Sequence, residues 1–369
     1  MRCKPLEILG VAVTFTVALL VATVVLPRLP LGPKGSQRLL TIPNFKVPTG
    51  SFFAETTGDE ISQMVLWHAL GDSIAHARRA DILFIGDSRM PMGLREDDIV
   101  PAAGALGLRV FSLACGHVER VPFALKLIRK HDLRPKVVVV VGGPHMFRNM
   151  MSGPAEKAMK LTRWQAWTQW IEADARWRLQ SWLHARLPKI DWFRQPLTSS
   201  WILYRSTSTG WLIPVVEPSA RYPIGFDRED ASYAPSLPVA RALAEELEQR
   251  GAALILSIVP YGNTRTGHLP FLARELGVPV VLPSFDGLVT ADGSHLGRSS
   301  AEPFAKAFWS QLLALPEVRE KLSLDGPAPK ADQEGRPNAW KSNSTGAPPP
   351  TVRAKSSRSA AYVMGGSNR

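Results

Sequence analysis

The chain has 369 residues, 45% hydrophobic and 21% charged, so it is long enough to bury a full core and too apolar for wholesale disorder. Its formal net charge is +12, but the Lys and Arg residues are scattered and several fall after Asp325. Without zinc-ligand spacing, an aromatic ribonucleoprotein motif or a compact basic helix, that charge argues against nucleic acid as a partner. It suits an anionic membrane, an acidic glycan or a plain solvated surface.

Residues 8–26 are an uncharged apolar stretch, preceded by Arg2 and Lys4 and closed by Pro27. At ~1.5 Å per residue such a stretch crosses a hydrocarbon core of roughly 30 Å. Residues 21–25 offer only a poor small-x-small cleavage site, so the reading is an uncleaved single-pass anchor in the cytoplasmic membrane. Arg28, Lys34 and Arg38 nearly balance the charges before the span. The short N-terminal tail, residues 1–7, is placed in the cytoplasm and the bulk domain in the periplasm or outside the cell. Residues 27–58, rich in Pro, Gly and polar residues, read as a linker. Residues 59–322 read as the folded domain. Residues 323–369 turn to Pro, Gly, Ser, Ala and Lys without periodicity and are expected to be disordered. Cys3 precedes the span, so a disulfide to Cys115 is not expected, and Cys115 reads as a small buried residue at a strand end.

Within the domain, residues 59–79 have helical character. Residues 82–85 form a short bounded apolar run, the pattern of a buried parallel strand. A second strand pattern covers 110–114, an amphipathic helix 122–131 and a third strand 137–141. After residue 235 the rhythm resumes with a helix over 239–249, a strand over 253–259, a short helix over 271–276, a strand over 278–282 and a closing helix over 303–313. Strand, helix, strand at this spacing predicts parallel crossovers and a doubly wound α/β sheet. Between the halves, about 150–235, lies a Trp-rich insertion expected to be helical. Trp164, Trp167 and Trp170 share one broad helix face. That face packs on the core, shapes a substrate groove, or lies on a bilayer with Lys157, Lys160 and Arg163 beside it. The sequence leaves the three open.

Two motifs carry chemistry. Gly86-Asp87-Ser88 ends the strand at 82–85, and Asp292-Gly293-Ser294-His295 precedes the closing helix. They supply a hydroxyl, an imidazole and a carboxylate, as hydroxyl nucleophilic catalysis requires. Gly71-Asp72-Ser73 repeats the first tripeptide, but its flanks read as helix and Ser73 as a helix-surface serine. The bland alternatives are an N-cap or turn role for Ser88 and a loop-packing role for His295.

These blocks resemble the SGNH (GDSL-type) hydrolase superfamily over roughly residues 60–320. Gly86-Asp87-Ser88 matches the family's first block, Gly116 after the strand at 110–114 its second, and Asp292 with His295 its last. The third block, normally Gly-x-Asn-Asp, departs: Gly142-Gly143 is kept, but Pro144 stands where the asparagine belongs. The resemblance implies a flavodoxin-like, SGNH-type sheet with Ser88 as nucleophile, His295 as general base then acid, and Asp292 orienting His295. It also implies that the N–H groups of Ser88 and Gly116 bind the oxyanion. Proline supplies no donor, which leaves His145 and Asn149 as substitutes, with His117 and His145 as candidate pocket residues. A metal held by His117, His145 and Asp292 has no ligand spacing to support it, so neither metal nor cofactor is expected. The implied activity is an esterase or O-acyltransferase on acyl esters, such as acetyl groups of an envelope polysaccharide. The alternative is a catalytically weak scaffold that binds glycan or a membrane acyltransferase partner.

Overall fold

The computed structural model describes residues 47–56, 59–116, 119–186, 202–216, 221–226, 234–284 and 286–324. The expected N-terminal anchor, most of the expected linker and nearly all of the expected disordered tail lie outside these residues. Among the described residues no helix is long and apolar enough to cross a membrane.

The strands in chain order are β1 (Ser51–Thr56), β2 (Asp59–Glu60), β3 (Ile82–Gly86), β4 (Val110–Ser112), β5 (Val137–Val141), β6 (Ile202–Ser206) and β7 (Leu212–Val216). They continue with β8 (Tyr222–Pro223), β9 (Gly225–Phe226), β10 (Ala253–Ser257), β11 (Asn263–Thr264), β12 (Val280–Val281) and β13 (Val289–Thr290). Five of them form a parallel sheet in the order β12-β10-β5-β3-β4. Every residue of β3 and β5 is buried, which is why both read as unbroken apolar runs: helices cover each face of the sheet. Phe123, Leu127 and Ile128 come from helix Val121–His131, and Phe304, Phe308 and Leu312 from helix Arg298–Ala314.

Chain order through this sheet begins at β3, steps to β4 on one side, then returns to β5 on the other. That reversal is the topological switch of a doubly wound sheet, beside which a crevice opens at the carboxyl ends of the strands. Register sharpens the point. Gly86 pairs with Val141, and Val141 with Ser257, so β3, β5 and β10 end level and release their loops at one edge.

The second sheet corrects two sequence expectations. Its order is β2-β1-β6-β7, with antiparallel pairs. The stretch read as a linker to residue 58 therefore ends in a buried strand: Phe52 and Phe53 of β1 pack with Tyr204 and Trp177. The Trp-rich insertion is helical through Gly153–Lys160 and Arg163–Arg186, but returns as β6 and β7. Arg205 of β6 joins the two sheets. Its guanidinium is fully buried and donates to Ser62 Oγ and to the carbonyls of Ser112, Ala114 and Gly210. Those carbonyls stand in for water, without which a buried charge would be prohibitive. Burial still pulls the Arg205 pKa below its ordinary value.

The closing helix begins at Arg298, five residues before its expected start, and carries Pro303 inside it. Pro303 reads as a first-turn proline in the sequence, whereas packing of Ala301, Phe304 and Phe308 holds the helix through it.

Candidate active site

Gly86 ends β3 where the backbone is crowded. A Cβ there would lie 2.6 Å from Met90 Cβ and 2.9 Å from the Val141 carbonyl oxygen, so only glycine fits without displacement. The chain then turns into the short helix Arg89–Gly93, with Ser88 at its N-cap position. Ser88 makes no capping hydrogen bond. The backbone N–H of Arg89 is taken instead by Asp87 Oδ1 at 2.9 Å, which leaves the Ser88 hydroxyl turned elsewhere.

It turns to His295. Ser88 Oγ lies 2.9 Å from His295 Nε2, and His295 Nδ1 lies 2.8 Å from Asp292 Oδ2, across 207 residues of sequence. A carboxylate only accepts, so Nδ1 carries the proton, Nε2 is the acceptor, and the Ser88 hydroxyl donates to it. Asp292 is itself held: its Oδ1 accepts the N–H groups of Ser294 at 2.9 Å and His295 at 2.8 Å. Ala291 N–H closes the loop on the His295 carbonyl at 2.8 Å, and Gly293 sits at φ +82°, where a side chain would be strained. Leu296 is buried in the core and fixes the loop from below.

Around this relay lies a second polar group. Asp87 is buried and its Oδ2 accepts His145 Nε2–H at 2.9 Å. Burial pushes the Asp87 carboxyl up, but the His145 hydrogen bond and the nearby Arg89 charge outweigh it, and the pKa falls below the ordinary aspartate value. Arg89 stacks its guanidinium 4.0 Å above the Tyr261 ring, approaches Asp87 Oδ2 at 3.7 Å and reaches Ser294 Oγ at 3.4 Å. His268, fully buried, meets the Gly142 carbonyl at 3.0 Å and supports the loop after β5; burial pulls its pKa down to about 4, so it stays neutral.

The oxyanion expectation meets an obstacle at Gly116. Its N–H donates to Glu55 Oε2 at 2.9 Å, and any Cβ on Gly116 would overlap that carboxylate. The structure thus gives this N–H to a strand residue of β1. His145 is engaged with Asp87, Asn149 is exposed in the bend that follows, and His117 lies outside the described residues. Ser73 also differs from expectation: it opens helix Ser73–Arg78 but is buried, not on the surface.

The sequence pointed to Ser88, Asp292 and His295, which the fold brings within hydrogen-bond reach of one another, and did not single out Glu55, Arg89 and Tyr261 beside them. Arg89 had a signal, as the residue directly after the serine. Glu55 had none, because it lies in a stretch whose composition reads as linker and its partner is 61 positions away.

Fold and geometry together define an α/β protein with a Ser-His-Asp relay at the switch point of a parallel sheet. The chain matches no family model, no curated protein and no solved structure, so this class rests on its own residues.

Proposed function

We propose that the chain is a serine-type ester hydrolase or O-acyltransferase of SGNH type. In this reading it acts on acyl esters, such as acetyl groups, of an envelope glycan. The observation that supports it is the relay itself, with Ser88 Oγ 2.9 Å from His295 Nε2 and His295 Nδ1 2.8 Å from Asp292. Ser88 attacks the ester carbonyl as His295 takes its proton, and the acyl group passes to the serine oxygen. His295 then protonates the departing alkoxide. Water or a second hydroxyl, deprotonated by the same ring, takes the acyl group and frees Ser88. The Ser88 backbone N–H is the oxyanion donor of this reading, joined by Gly116 only once Glu55 is displaced. The N-terminal apolar stretch makes the protein a single-pass protein of the cytoplasmic membrane, with this domain in the periplasm or outside the cell.

The test is labelling by a fluorophosphonate together with hydrolysis of a short-chain ester. Wild type should be labelled at Ser88 and turn over the ester, and Ser88→Ala should do neither. Absence of both in wild type would move the assignment to a second reading, a scaffold binding glycan or a membrane acyltransferase partner. Two observations favour that second reading: Pro144 replaces the expected asparagine, and Glu55 holds the Gly116 N–H.

A further inference from the structure

Helix Arg163–Arg186 presents two opposite faces. Ala166, Ala173 and Trp177 are buried, and Trp177 stacks on Phe53 with ring centroids 4.9 Å apart. On the outer side, Trp164 is 68% exposed, Trp167 41% and Ile171 42%, at the i, i+3, i+7 positions of one stripe. Trp182, 56% exposed, falls three turns beyond Ile171 on the same stripe. At ~1.5 Å per residue the stripe runs about 27 Å. Large apolar side chains gathered like this mark an interaction surface.

The chemistry of the stripe selects among occupants. Two hydroxyls beside the tryptophans are engaged locally: Thr162 Oγ1, just before the helix, donates to Gln165 Oε1, and Thr168 Oγ1 to the Gln165 carbonyl. Trp164 and Trp167 stack on each other, 5.0 Å apart and 20° from parallel, so the pair presents one joint apolar slab with one face of each ring already covered. Lys157, Lys160 and Arg163 are exposed at the start of the stripe and suit an anionic surface.

The path of the chain points the same way. β1, the first described strand, is bound to this helix: Arg178 Nη2 donates to the Ser51 carbonyl at 2.6 Å, and Phe53 N–H to Asp174 Oδ1 at 2.8 Å. Phe52 meets Trp170 edge-on at 5.9 Å. The chain thus enters the domain beside this helix, arriving from the apolar stretch 8–26. The intervening residues, 27–46, reach at most about 70 Å when extended.

We propose that the Trp164–Trp167–Ile171 face lies in the headgroup and acyl boundary of an anionic bilayer, holding the domain against the membrane beside its tether. The inference rests on the reading of residues 8–26 as a membrane anchor and not on the esterase activity. It is tested on the full chain, reconstituted into phosphatidylglycerol–phosphatidylcholine vesicles whose acyl chains carry bromine near the headgroup. No tryptophan lies in residues 1–66, so quenching of tryptophan fluorescence cannot arise from the apolar stretch. Wild type should be quenched, and the quenched fraction should fall at least two-fold in Trp164→Phe/Trp167→Phe, with an unchanged melting temperature as the folding control. Equal quenching in the two proteins overturns the proposal. So does protection of these tryptophans from acrylamide by acidic polysaccharide or by a second copy, without quenching by brominated lipid.

Discussion

The molecule contains the tripeptide Gly-Asp-Ser twice, and the two copies share nothing beyond their letters. In Gly71-Asp72-Ser73, glycine sits at φ +63° in a turn between helices, Asp72 is exposed, and the buried Ser73 hydroxyl has no hydrogen-bond partner among the described residues. In Gly86-Asp87-Ser88, glycine ends a buried parallel strand, Asp87 anchors His145 and the Arg89 N–H, and Ser88 meets His295. One copy lets the chain turn; the other aims a hydroxyl at an imidazole 207 residues away. A short motif acquires chemistry from the strand before it and from partners far away in sequence.

The largest contrast should lie between the serines. Ser88→Ala should lower ester hydrolysis at least about 1,000-fold, and His295→Ala about as much, because residues acting as one unit lose function together. Asp292→Asn should cost less, since backbone and water still help orient the ring. Ser73→Ala should leave turnover unchanged and the melting temperature level or slightly higher, because it removes a buried unsatisfied hydroxyl. Parallel loss of activity in Ser73→Ala would break the comparison.

The glycines should differ in stability. Gly86→Ala drives a methyl against Met90 Cβ and the Val141 carbonyl oxygen, at 2.6 and 2.9 Å. It should cost about 3 kcal/mol in urea unfolding. Gly71→Ala meets Trp170 only at 3.5 Å and suffers mainly from its positive φ, at a cost of about 1 kcal/mol. Reversal of that order would show that β3 is not the rigid element described.

The aspartates give the smallest contrast and one dependent on pH. Asp87→Asn should destabilise by about 2 kcal/mol at neutral pH, whereas Asp72→Asn, on the surface, should stay within about 0.5 kcal/mol. The folded Asp87 pKa lies below the ordinary aspartate value of 3.8, so its contribution is present above that pH and is lost as pH falls through the folded pKa. The gap between wild type and Asp87→Asn should therefore close below about pH 3.8, measured by thermal unfolding across a pH series. A gap that persists or widens in acid would mean that Asp87 acts through shape and not through its charge.

Much of the α/β half was legible because burial on both faces writes a parallel strand as an unbroken apolar run; residues 82–85 and 137–141 are such runs, short and rich in β-branched side chains. The second sheet was not legible. β1 stands behind Pro48 and Gly50 and pairs with β6, some 150 residues later, so its composition resembled a linker while its pairing made it a core strand. The insertion misled for the same reason: helical spacing of Trp164, Trp167 and Trp170 announced the helix, but nothing local announced that the chain would return as β6 and β7. At the site, Ser88, Asp292 and His295 were visible because each follows a strand or precedes a helix with its own pattern. The Asp87–His145 pair and the Arg89–Tyr261 stack needed the loops after β3, β5 and β10 to meet.

What the sequence determined by itself was local and periodic: the apolar runs, the amphipathic helices and the two motifs at their ends. Hydrophobic burial enforces the runs and the helix faces, and their ends mark where each motif must sit. The level ending of β3, β5 and β10, the passage of Arg205 between two sheets and the capture of the Gly116 N–H by Glu55 were decided only by tertiary structure. Each depends on a hydrogen bond between residues far apart in the chain, and no spacing along the sequence encodes where such partners meet.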